Sequence, residues 1–230
     1  MRITTLNLWG YVHWQERQDV IVDYLKEVQP DVIAFQEVVY LPKQFPVSQV
    51  HQLAEQLDYP YRYESITRLQ VGKDGAPYRE GLALLSRVPA SSVEALSLIQ
   101  DPRDEHQRIL QLADFTTDEG TIKLANAHYS ITDTFDFATP QLNETIALFN
   151  ARGEQRIITG DFNIRGLSTE NASWSTDYTL VNDGNYVSFP ETNDCIDYFL
   201  APHAYTATDL LISPDGLSDH RAITVDFTLK

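Results

Sequence analysis

Strand-length apolar runs dominate this sequence, and their number constrains the fold more than any other feature. Residues 3–8, 32–35, 82–85, 109–115, 122–127, 157–159, 196–200 and 223–229 each carry an apolar or alternating run of the length a strand needs. The last is the cleanest. Ile223, Val225 and Phe227 alternate with Thr224, Asp226 and Thr228, as a strand does with one face buried and the other wet. Helical spacing occurs three times. Ile21, Leu25 and Val28 form a stripe that ends before Pro30, and Val50, Leu53, Ala54 and Leu57 form another that stops before Tyr59-Pro60. Leu142, Ile146 and Phe149 make the third, with Thr139-Pro140 predicted as N-cap and first helical residue and an end near Gly153. Many strands and few helices predict an α/β protein of sheets packed on each other with helices outside. No Pro-, Gly- or Ser-rich linker, low-complexity tract or sequence repeat divides the chain, so residues 1–230 are expected to form one domain.

Composition excludes several classes of function. Apolar residues at 43% and aromatics at 11% suffice for a large core and rule out a disordered or fibrous chain. Asp and Glu outnumber Lys and Arg by 33 to 17, a formal net charge of −16. A protein that drapes nucleic acid over a basic face has the opposite sign, so charge disfavours a nucleic-acid partner. The imbalance is also local. Residues 166–220 hold nine Asp and Glu but no Lys or Arg, while Arg62, Arg68, Lys73 and Arg79 cluster around a Gly-containing loop. A phosphate handled by the C-terminal third would need a bridging cation or those earlier arginines. The single cysteine, Cys195, excludes an internal disulfide and any Cys-based zinc site. Residues 1–9 carry no signal-peptide core and no eighteen-residue apolar run occurs, so the expected location is the cytoplasm, or outside the cell only if a signal peptide has been removed. Nothing in the sequence signals oligomerisation, and a monomer is the expectation.

Several strands end in polar residues that packing does not require. The first contains Asn7 next to Trp9-Gly10, and Val32-Ile33-Ala34-Phe35 runs into Gln36-Glu37. The run 122–127 ends at His128, and Ile157-Ile158-Thr159-Gly160 delivers Asp161-Phe162-Asn163. Asp197 falls inside an apolar strand, where an unpaired carboxylate is costly, and Ser218-Asp219-His220 precedes the last strand. Each has an ordinary reading as a turn, loop or sheet residue. Together, carboxylates, amides and imidazoles at strand ends can converge on one pocket. Such a pocket suits a hard divalent cation that shares a phosphate with its substrate, with imidazoles to move protons.

These residues resemble the endonuclease/exonuclease/phosphatase superfamily, which includes DNase I, abasic-site endonucleases and neutral sphingomyelinases. The resemblance runs from Thr5-Leu6-Asn7 to Ser218-Asp219-His220. Its most specific parts, in order, are Gln36-Glu37-Val38, Gly160-Asp161-Phe162-Asn163, Ile196-Asp197-Tyr198 and Ser218-Asp219-His220. It implies a DNase I-like four-layer α/β sandwich of two mainly antiparallel sheets flanked by helices. It also implies Mg²⁺-dependent hydrolysis of a phosphate ester by in-line attack of water, with Mn²⁺ or Ca²⁺ as alternative ions. By resemblance Glu37 is the principal metal ligand, supported by Asn7 and Asp219. Asp161 and Asn163 orient the water and contact the phosphate. His220 with Asp197 deprotonates water, and His128 with Glu80, in the segment Tyr78-Arg79-Glu80, protonates the leaving oxygen.

Departures from the pattern narrow the substrate. Val38-Val39 replaces an arginine that the DNase I branch inserts into the minor groove, and Trp9 stands where abasic-site enzymes carry an extra aspartate. No hydrophobic hairpin for gripping a bilayer is evident in the sequence. The expected substrate is therefore a small phosphate ester or a phospholipid head group, handled as a diester or a monoester. A DNA or RNA nuclease is the alternative.

Overall fold

A computed structural model describes residues 1–40, 47–71, 75, 77–131, 137–170 and 172–230, with the side chain of Gln70 excepted. Lys73 lies outside the described residues. Among the described residues, twelve strands form two six-stranded sheets. The first sheet contains β1 (Arg2–Asn7), β2 (Val32–Val39), β3 (Tyr61–Val71), β4 (Pro77–Ser86), β11 (Tyr205–Ile212) and β12 (Ile223–Leu229) in the order β11-β12-β1-β2-β4-β3. The second contains β5 (Ala90–Ser97), β6 (Ile109–Thr117), β7 (Gly120–His128), β8 (Ile157–Asp161), β9 (Tyr178–Leu180) and β10 (Asp197–Pro202) in the order β5-β6-β7-β8-β10-β9. Each sheet is antiparallel except at one pair, β1 with β2 and β7 with β8. A helix makes each parallel crossover, as the chain geometry requires: α1 (Trp14–Val28) in the first sheet and α3 (Ala138–Arg152) in the second. The same strand path is thus traced twice without a matching sequence repeat.

Alternation along the strands builds the layers. Ile3, Val32, Ala34, Leu124, Ile157, Phe199, Val225 and Phe227 pack between the sheets. The opposite face of the first sheet, with Leu6, Ile33, Phe35 and Leu85, packs on α1 and α2 (Gln49–Gln56). The opposite face of the second, with Leu112, Ala125, Ile158 and Leu200, packs on Leu142, Ile146 and Phe149 of α3. The fold is therefore the expected four-layer α/β sandwich.

Helix ends follow local chemistry, with one difference from expectation. Ser48 caps α2 by accepting from the His51 N–H at 3.0 Å, and Gly153 closes α3 in the left-handed conformation at φ 63°. Helix α3 begins at Ala138 with Phe137 as the capping residue, so Thr139-Pro140 falls inside the first turn rather than opening it. Proline is tolerated there because first-turn N–H groups have no intrahelical acceptor.

Candidate active site

Strand register assembles half of the site. His128 pairs with Asp161 across β7 and β8, and Asp161 pairs with Asp197 across β8 and β10. Residues opposite one another in adjacent strands share a face, so an imidazole and two carboxylates form one row. Gly160 permits that register. It sits at φ 133°, and a Cβ there would fall 1.9 Å from the Ala127 carbonyl oxygen.

The first sheet supplies the other half. Asn7 ends β1, and the pairing of β2 with β4 slips between Phe35 and Val38, leaving Glu37 in a bulge at φ 52°. A bulge re-aims a side chain out of the ladder, and here it brings Glu37 to the cleft. Asn163 also has φ 52°. Its amide donates to the Tyr129 carbonyl at 2.9 Å and its N–H to Asp161 Oδ1 at 2.9 Å. Asp219 and His220 arrive from the turn before β12. Glu37, His128, Asp161, Asn163, Asp219 and His220 line one cleft.

The contacts within it are specific. The Asn7 amide nitrogen donates to Asp161 Oδ2 at 2.9 Å and to Glu37 Oε1 at 3.3 Å, while its oxygen accepts from the Trp9 N–H at 2.9 Å. Asn7 thus ties the two sheets' carboxylates together. His128 Nε2 lies 3.5 Å from Asp161 Oδ2, and His220 Nε2 lies 3.9 Å from the same oxygen. Behind them, His220 Nδ1 is 2.8 Å from Asp197 Oδ2.

A model of the Endonuclease/Exonuclease/phosphatase family matches residues 4–220. The chain belongs to that family. The fold is similar to that of a family protein from Beutenbergia cavernae DSM 12333, with a TM-score of 0.81, 20% identity, and coverage of 100% of this chain and 71% of that one. It is also similar to the mannosyl-6-phosphatase of Bacteroides thetaiotaomicron VPI-5482, with a TM-score of 0.71, 17% identity and full coverage of both chains. A third similar structure is sphingomyelinase C from Streptomyces griseocarneus, with a TM-score of 0.69, 17% identity and 98% coverage of each chain. A search of curated proteins finds no match.

In this member of the family the two histidines have opposite electrostatic surroundings. Burial alone would lower both. His220 is instead pushed up to about 10, because Asp197, Asp161 and Asp219 together outweigh its desolvation. His128 is held well below the ordinary histidine range by burial and then by Arg108. Asp161 is raised to about 7 by burial and by the adjacent charge of Asp197, offset in part by His220. Burial also raises Glu37, although one edge of that half-buried residue still meets solvent.

The donor set fits a hard divalent cation such as the family implies. Buried or half-buried carboxylates from Glu37, Asp161 and Asp219 meet in one cleft, and like charges so placed are stabilised by a shared positive ion. Donor atoms of Asp161, Asp197 and His220 also lie within 4.8 Å of one another, close enough to hold an ion. The second Asp197 oxygen, Oδ1, is buried and has no hydrogen-bond partner among the described residues.

Tyr78 and Glu80 stand on β4 and are not among the described residues that line the cleft. Glu80 lies 3.1 Å from Arg68 Nη2 and 3.6 Å from His106 Nδ1, and the His106 ring centroid lies 6.0 Å from that of His128. Among the described residues no ion pair or hydrogen bond joins His128 to Glu80 as expected; the Glu80 carboxylate faces Arg68 and His106 instead. Burial and the nearby Glu37 raise Glu80 to about 7. His106 went unnoticed in the sequence because it lies in the polar segment before β6, with no motif around it.

Three arginines also escaped the motif reading. Arg108 is buried, lies 2.6 Å from Asp104 through Nε, and approaches the His128 carbonyl at 3.5 Å. Arg17 on α1 donates to the carbonyls of Leu8, Val12 and Leu217, and so ties together the turns that carry Trp9 and Asp219. Arg165 lines the cleft itself, directly after the Gly-Asp-Phe-Asn-Ile segment. Of the arginines expected to serve a phosphate, Arg68 faces Glu80 and Arg62 lies 3.4 Å from Glu64.

Proposed function

We propose that this protein is a Mg²⁺-dependent hydrolase of phosphate esters, a phosphodiesterase or phosphatase acting on a small or lipid-linked substrate. The observation that supports it most is the convergence of Glu37, Asp161 and Asp219 with two oppositely tuned histidines in one cleft. Glu37 and Asp219 are the residues assigned to the ion, with Asn7 holding Glu37 through its amide nitrogen. When bound there, Mg²⁺ supplies Lewis-acid charge that stabilises the phosphoryl oxygens.

The rest of the chemistry falls to the chain. Asp161, fixed by the Asn7 amide and the Asn163 N–H, orients water for in-line attack. His220, held as a cation by Asp197, faces the same oxygen of Asp161 and suits a group that stabilises the phosphoryl charge and protonates the leaving oxygen. His128, held neutral beside Arg108, suits the accepting side. This reverses the roles expected from resemblance.

The test is hydrolysis of bis-p-nitrophenyl phosphate, p-nitrophenyl phosphate, sphingomyelin and plasmid DNA, with Mg²⁺ and with EDTA. Mg²⁺-dependent turnover of a chromogenic or lipid ester, lost in Glu37→Gln, is the expected result. Turnover that survives EDTA overturns the metal requirement, and cleavage of plasmid alone makes the protein a nuclease.

A further inference from the structure

A groove larger than the catalytic cleft opens where α1 meets the edge strand β11. Its volume is about 490 Å³, against about 160 Å³ for the cleft, and the two share no lining residue. Val20 and Tyr24 of α1 form one wall, and Leu211 and Ile212 at the end of β11 form the other, with Leu217 adding to the apolar lining. Val20, Leu211 and Ile212 are 45%, 42% and 37% exposed. Single exposed apolar residues are ordinary, but three that share a concave surface mark a place where something is covered.

The charge on the groove has one sign. Asp23 and Glu27 line it from α1, and among the described residues lining it there is no Lys or Arg. Both side chains are exposed, and neither has an ion-pair or hydrogen-bond partner among the described residues. They stand four positions apart on one helix face, where like charges repel and lower helix stability. Two unpaired carboxylates beside an uncovered apolar surface are two departures from what folding alone favours, and one cationic, apolar ligand answers both.

Local geometry narrows the form of that ligand. The pairing of β11 with β12 slips between Thr208 and Leu211, and Asp209 sits at φ 52°. A bulge twists a sheet edge and opposes the addition of a further strand, so the groove takes side chains rather than an extended backbone. A second copy of the chain fits poorly. Self-complementary pairing would bring Asp23 and Glu27 of both copies together in a chain with a formal net charge of −16. An amphipathic helix laid into an apolar groove avoids both difficulties. We propose that the groove between α1 and β11 docks an amphipathic helix of a partner protein, with Leu or Ile anchors on its apolar face and Lys or Arg meeting Asp23 and Glu27.

The probe is a fluorescent helical peptide of about 14 residues, with Leu at helix-period positions and Lys elsewhere, titrated with the full chain at about 0.15 M salt. Anisotropy should report binding in the micromolar range. Affinity should fall about tenfold in the double variant Asp23→Asn, Glu27→Gln, and about tenfold in Val20→Ser, Leu211→Ser. All four side chains are exposed, so the melting temperatures of both variants should match the wild type. A scrambled peptide of the same composition, with Leu spread around the helix, should bind at least tenfold more weakly, which separates docking from attraction to the net charge. No binding by the wild type, equal binding of the scrambled peptide, or affinity unchanged in both double variants overturns the inference. A wild-type dimer in sedimentation that is lost in Val20→Ser, Leu211→Ser makes the occupant a second copy and overturns it too.

Discussion

His220 Nδ1 lies 2.8 Å from Asp197 Oδ2, and the other Asp197 oxygen has no hydrogen-bond partner among the described residues. The Asp197 charge is thus directed at one imidazole, with the Ser188 hydroxyl holding the backbone N–H groups of Ile196 and Asp197 at 3.0 Å. Asp197→Asn keeps the shape and removes the charge, so the histidine loses the partner that raises it. Turnover should fall by about 100-fold, comparable to other losses of a preorganised charge. The alkaline limb of the pH–rate profile should also move to lower pH, since the protonated form of His220 is then lost sooner. An unchanged limb would mean that His220 is not the group titrating there.

Stability should respond to pH in one direction in the metal-free protein. His220 has a raised folded pKa of about 10, so its contribution is complete below the ordinary histidine range and is lost as pH rises towards that value. Asp161 and Glu80 are raised to about 7, so the folded state binds their protons more tightly than the unfolded chain does. Their contribution is present below the ordinary carboxyl range and is lost as pH rises through about 7. These three changes share a sign; His128 and His106, held below the ordinary histidine range, oppose them as pH rises through that range, but are outweighed by the three. In EDTA the melting temperature should therefore fall between about pH 5.5 and about pH 8.5. Mg²⁺ should raise it more at the higher pH, where its carboxylate ligands are ionised. Thermal melts at both pH values check this, and a Mg²⁺ shift independent of pH would contradict it.

The division between what the sequence reveals and what it conceals follows the sheets themselves. All eight strands legible as apolar runs are interior strands, and β3, β5, β9 and β11, which no run announced, are the four edges. An edge strand is solvated along one side, so its sequence need not be apolar; β5 has exposed residues along most of its length. The site divides in the same way. Glu37, Asp161, Asp197 and His220 were legible because a charged residue abutting an apolar strand needs a reason. Arg165, His106 and Arg108 sit in polar segments or among other charges, where a further charge carries no signal. Their roles come from distances that only the packed sheets define.

Gly160→Ala tests how far catalysis depends on strand register. The substitution places a methyl group 1.9 Å from the Ala127 carbonyl oxygen at a φ of 133°, one residue before Asp161. Backbone cannot yield as a flexible side chain can, so β7 and β8 must separate. The expected cost is about 2–4 kcal/mol in urea unfolding, as for strained backbone combined with core displacement. Activity should fall further than stability accounts for, because His128 and Asp161 are register partners on those two strands. A folded variant with full turnover would show that the site tolerates displacement of Asp161.

Cys195 reports on the same region from outside the chemistry. Burial and then the nearby Asp197 charge push its thiol up to about 12. The thiolate is the reactive form, and this environment makes it scarce in the folded protein. Native protein at about pH 8 should therefore react with a disulfide reagent at least 100-fold more slowly than protein unfolded in guanidinium chloride. Asp197→Asn removes the neighbouring charge but not the burial, so it should speed the native reaction only modestly. The Cys195 thiol approaches the Asp197 carbonyl at 3.5 Å, a contact the substitution leaves in place. Rapid labelling of the native wild type would mean that the turn at residues 188–196, which carries Phe189 and Asp194, opens in solution. Protection in both proteins would show that the turn packing the Phe189 ring on the His220 ring is rigid without the Asp197 charge.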